Sequence, residues 1–107
     1  MKIENEIIKL EGAQLIDALC EIEYIMISLR EMGRYYYQNV QSPPTDETYL
    51  EYALETTRFI DENLIFDRLN KVRAILSSPF NSELGDDDMD DIERAIETVK
   101  FWSKPGD

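Results

Sequence analysis

From residue 13 to about residue 40 the apolar positions recur at three- and four-residue steps. Leu15, Ala18, Leu19, Ile22, Met26, Leu29, Gly33, Tyr36 and Val40 share one face, which is the spacing of an amphipathic helix and not the alternation of a strand. Ile16, Cys20 and Ile27 widen the stripe. This long helix is therefore expected to be the most buried element, with Leu19 a core position. A second helix is expected from Asp46 to about Asn63, with Leu50, Ala53, Leu54, Thr57, Ile60 and Leu64 on its core face. Ile65, Leu69, Val72 and Leu76 predict a third helix, separated from the second by the ambiguous "DENL". Met89, Ile92, Ile96 and Val99 predict a fourth. Residues 1–11 leave two readings, because Ile3, Ile7 and Leu10 fit a helix while "EIIKLE" tolerates a short strand.

The breaks agree with those periods. In "SPPTDE" (42–47) Pro43 and Pro44 cannot continue a helix, and Thr45 is a suitable N-cap for the next one. Pro79 and Gly85 interrupt "SSPFNSELGDDD", and "KPGD" closes the chain. Amphipathic helices joined by short connections, with no clear strand signal, predict an all-α fold: a small bundle of three to four helices. At 107 residues this is one helical domain over 1–107, with 1–11 as a lead-in and 103–107 as a tail.

Composition narrows the function. Twenty-three acidic residues against 11 basic ones give a net charge of −12, which repels nucleic acid and anionic membranes and attracts basic proteins. The chain has no histidine, and Cys20 is its only cysteine. That removes the commonest general base, any internal disulfide and a cysteine-based zinc site. No apolar run approaches the ~20 residues that span a bilayer, and the N-terminus lacks a signal-peptide core. A cytoplasmic protein without cofactor or metal is expected.

The stretch "GDDDMDD" places five aspartates in six positions, 86–91. Asp86, Asp88 and Asp90 fit positions 1, 3 and 5 of a calcium loop and Glu97 fits position 12. Asp91 then stands where the sharp turn needs glycine, and Arg94 would place a cation beside the bound one. An aspartate N-cap with an acidic first turn explains part of the cluster better. Capping uses one or two carboxylates, yet residues 83–97 hold eight acids against one arginine. Asp87, Asp90 and Asp91 are therefore candidates for contact with a cationic partner.

A second acidic row points the same way. Glu47, Glu51 and Glu55 recur at four-residue steps and form one ridge, with Arg58 able to pair with Glu55 or Glu62. Tyr52 and Phe59 lie beside it, off the expected core stripe, as an interface anchor would; the other reading packs both rings on a neighbouring helix. In "RYYYQ" three consecutive tyrosines cannot all face one core. Tyr35 points away from it, either under another helix or toward a partner.

The stretch "LNKVRAILSSPFNSELGDDDMDDIERAIETVKFW", about a third of the chain, resembles small acidic immunity proteins of bacterial contact-dependent growth inhibition and related polymorphic toxin systems. The parts that carry the resemblance are "PFNSELGDDDMDDIE" and the aromatic ending "FW". It implies a one-to-one inhibitor of a cognate, basic toxin domain, often a nuclease, in the producing cell. An acidic nucleic-acid mimic that inhibits a DNA- or RNA-binding protein fits the same charge. A carboxylate-dependent enzyme fits less well, since the acids form ridges and not an apolar pocket.

Overall fold

A computed structural model describes residues 1–37 and 44–106. Helices α1 (Gly12–Tyr37), α2 (Asp46–Glu62), α3 (Ile65–Ser77) and the short α4 (Asp91–Ile96) make up its regular structure, with one 3-10 turn at Ile3–Asn5. Among the described residues there is no strand, so the fold is a small all-α bundle. The expected stretch 38–40 of the first helix, with Val40, and Pro43 lie outside the described residues. The chain divides into two compact units: Glu11–Leu76, and Met1–Leu10 together with Ser77–Asp107.

In the unit Glu11–Leu76, α1 and α2 run antiparallel. Tyr24 near the middle of α1 meets Phe59 near the end of α2 at 5.9 Å between ring centroids, while Tyr36 and Tyr37 at the end of α1 meet Tyr52 at 5.7 and 5.4 Å. Thr45 caps α2 as expected, its side chain accepting from the Thr48 amide at 3.2 Å. The break at "DENL" resolves into a C-cap at Asn63 and a left-handed Leu64 (φ 52), after which α3 begins. Arg68 of α3 holds the corner: it stacks 4.2 Å over the Tyr24 ring, donates to the Asn63 carbonyl at 3.0 Å and pairs with Glu21 at 2.9 Å.

Two expectations fail here. The face of α2 that meets α1 carries Tyr52, Thr56 and the buried Phe59, while Leu50, Leu54, Ile60 and Leu64 are exposed. The helix therefore presents the face opposite to the one its aliphatic stripe predicts. The aromatic rings of α1 select it, because ring–ring pairs contribute about 0.5–1.5 kcal/mol beyond the area they bury. Nor is α1 the most buried element. Ala18 alone is buried on it, and Leu15, Leu19, Met26 and Leu29 are exposed. Of the α3 stripe, Ile65 and Val72 are buried as expected, and Leu69 and Leu76 are not.

The second unit brings the two ends of the chain together. Asn5, 3% exposed, acts like a strand edge toward Asn81, donating to its carbonyl at 3.0 Å and accepting from its amide at 2.8 Å. The remaining Asn5 donor reaches Asp91 Oδ2 at 2.7 Å. Residues 1–11 thus hold neither the full helix nor the strand but a single turn that delivers Asn5. Helix α4 is shorter than the stripe Met89–Val99 predicts. The Thr98 hydroxyl donates to the Ala95 carbonyl at 2.9 Å, a side-chain bond that competes with the helical ladder and ends it.

Candidate functional site

The five aspartates of 86–91 are largely accounted for by local structure. Asp90 is the α4 N-cap, accepting from the Glu93 amide at 2.7 Å. Asp87 takes Arg94 in a two-point pair, Nε at 2.7 Å and Nη2 at 2.8 Å, the geometry in which a guanidinium binds most strongly. Arg94 Nη1 donates to Asp91 Oδ1 at 2.9 Å, and Nη2 also reaches the Met89 carbonyl at 3.1 Å. A Cβ on Gly85 would stand 2.9 Å from Arg94 Nη2, so a larger residue here would displace the guanidinium from its seat over this turn.

The electrostatics follow. The Arg94 guanidinium, with help from the Met89 amide, holds the Asp87 carboxyl down to about 2. The Asn5 side chain, then the Lys2 amide, then Arg94, hold Asp91 down to about 2. Both acids stay ionised at any physiological pH, and both hold Arg94 in its charged form. Asp91 is itself buried. As partner contacts, Asp91 is corrected to a buried structural carboxylate, and Asp87 and Asp90 are engaged within their own unit.

The ridge on α2 keeps more of its expected character. Glu47 and Glu51 are exposed, and Glu55 is half-buried with Arg58 at 3.3 Å. Arg58 also reaches Glu62 at 4.0 Å. Tyr52 and Phe59 are not its anchors: the first packs between Tyr36 and Tyr37 and the second is buried against Tyr24. The apolar groups beside the acids are instead Leu50 and Leu54, 57% and 56% exposed. Glu47, Leu50, Glu51, Leu54 and Glu55 are linked by three- and four-residue steps, so they form one continuous surface.

Glu55 joins that surface to a groove lined by Glu31, Met32, Tyr35, Tyr36 and Glu55. Tyr35 is 66% exposed and stands edge-on to Tyr36, 5.0 Å between centroids. Partial burial, and then the charges of Glu55 and Glu51, push the Tyr36 phenol up, and the carboxylates of Glu31 and Glu55 line the groove. Two carboxylates with two aromatic rings suit a cationic side chain, through charge-assisted hydrogen bonds and the negative ring faces. Glu31, Met32 and Tyr36 were missed by the sequence pattern. The signal available was the four-residue step from Glu31 to Tyr35, which puts an acid and a ring on one line of α1.

Among the described residues no group of three or more His, Cys, Asp or Glu side chains could hold a metal ion. No helix among them is long and apolar enough to cross a membrane. No family model matches the chain, and no curated protein or solved structure is detectably similar to it. The resemblance of the C-terminal stretch to immunity proteins rests on the residues quoted for it.

Proposed function

We propose that this chain is a binding protein of the immunity type, which neutralises a basic toxin domain by docking it on α2 and the adjoining groove. The observation that carries the reading is the continuity of the two features through Glu55. Leu50 and Leu54 offer an apolar centre, Glu47 and Glu51 an acidic rim, and the groove a seat for a lysine or arginine of the partner. This is the arrangement of an interface in which a few desolvated anchors supply affinity and rim charges supply the encounter rate. The net charge of −12 favours a cationic partner over long range.

Co-expression with a basic toxin domain, sought among the genes adjoining that of this chain, tests the proposal. Cells carrying the wild-type chain should survive and the two proteins should co-purify. Leu54→Glu together with Glu55→Lys should abolish both while the chain remains folded. Full protection by that double variant would overturn the assignment of the surface.

A further inference from the structure

The side of α1 turned away from α2 carries Ile16, Leu19, Met26 and Ile27, between 42% and 60% exposed, with Glu23, Arg30 and Arg34 also exposed among them. At 100° per residue these seven positions fall within a sector of about 100°. Ala18, Ile25, Met32 and Tyr36, which are buried or half-buried, lie on the other side of the helix. Neither Glu23 nor Arg30 takes part in an ion pair among the described residues.

At its centre this face is charge-complementary to its own reverse about the bond between Met26 and Ile27. Reversing the helix on itself carries Glu23 onto Arg30, Met26 onto Ile27 and Leu19 onto Arg34. We propose that a second copy of this chain covers this face, as a two-fold antiparallel pair of α1 helices. Glu23 of each copy then meets Arg30 of the other, twice, flanking the Met26–Ile27 centre, and the aliphatic stem of Arg34 lies over the second copy's Leu19. A parallel pair would set Glu23 against Glu23 and Arg30 against Arg30, so the charges select the antiparallel arrangement. The symmetry is closed, so assembly stops at two. The pairing spans residues 19–34, about 24 Å of helix, and it leaves Glu31, Tyr35 and the α2 surface outside the contact. It does not depend on the proposed toxin partner.

Sedimentation equilibrium of the purified full chain, from micromolar to several hundred micromolar, reads the assembly directly. The mass should rise from 12.5 kDa toward twice that value. Glu23→Arg or Arg30→Glu alone should weaken dimerisation by about tenfold or more, and the double swap should restore it, because it recreates both pairs. Met26→Glu should give a monomer with unchanged helical circular dichroism. A chain that stays monomeric at every concentration overturns the proposal and leaves the face to a different protein. A dimer indifferent to these substitutions also overturns it, and single swaps without rescue by the double swap overturn the antiparallel register.

Discussion

Asn5 and Asp91 lie 86 positions apart in the chain and are joined by a hydrogen bond of 2.7 Å between buried side chains. The same asparagine closes a two-way pair with the Asn81 backbone, and the same carboxylate receives the Lys2 amide at 2.8 Å. A cluster that reads as surplus surface charge therefore contains the polar centre of its own unit. Removing one member strands the others in a poorly hydrated site.

Asn5→Ala should accordingly destabilise the unit formed by the chain ends by about 1–3 kcal/mol, the cost of leaving buried polar groups unpaired. Hydrogen exchange of the Asn81 amide, which donates to Asn5, is the local reporter. Its protection should fall in the variant while the α1–α2 amides keep theirs.

The same site makes that unit acid-sensitive. The folded carboxyls of Asp87 and Asp91 are held at about 2, below their ordinary value of 3.8. The unfolded chain then binds more protons than the folded one between those values, and the stabilisation is lost as pH falls through that window. Above about pH 4 stability should be flat in this respect, and it should fall from about pH 4 to about pH 2. Asp91→Asn should flatten that slope in an acid titration followed by Asn81 exchange. An unchanged slope would mean that Asp91 is not ionised in the folded site.

The reversed face of α2 predicts an inverted mutational pattern. Phe59→Ala should cost about 3–5 kcal/mol, as for a ring in a packed interior. Leu50→Ala and Leu54→Ala should cost about 0.5 kcal/mol or less, as surface positions do. Urea titration separates the two outcomes, and equal losses at all three sites would return the aliphatic stripe to the core.

Leu64 adopts a left-handed conformation at φ 52 between α2 and α3, and its side chain is exposed. A non-glycine residue pays roughly 1–2 kcal/mol there, offset in part by the extra chain freedom that glycine brings to the unfolded state. Leu64→Gly should therefore stabilise the unit by up to about 1 kcal/mol, read as a higher urea midpoint. A loss of stability would indicate packing that the exposed position does not reveal.

These elements also mark what the sequence could and could not convey. Helical periods, the Thr45 cap and the proline and glycine breaks depend on neighbouring residues, and each could be read in one dimension. Which side of α2 turns inward depends on what α1 offers, and α2 has apolar groups on both sides, with Leu50, Leu54 and Ile60 on one and Tyr52 and Phe59 on the other. A period identifies a helix, not the choice between two such faces. Asp91 was obscure for a similar reason, since its partner Asn5 comes from the far end of the chain. The candidate site was half legible: Glu47, Glu51, Glu55 and Tyr35 could be named, while Leu50 and Leu54 were assigned to the core.

The central claim is that a basic partner docks on the α2 surface and places a cation in the groove of Tyr35, Tyr36, Glu31 and Glu55. The most direct measurement is the association and dissociation rate of a basic toxin domain that this chain neutralises, against surface variants across a salt series. Glu47→Gln with Glu51→Gln should slow association and flatten its salt dependence, since exposed charges act over a Debye length of about 8 Å at physiological ionic strength. Tyr35→Ala and Leu54→Ala should instead speed dissociation, by a factor equivalent to about 2 kcal/mol for an anchor. Asp90→Asn, which keeps a capping side chain, should leave both rates unchanged. If every α2 and groove variant kept wild-type rates at all salt concentrations, the surface would not be the binding site.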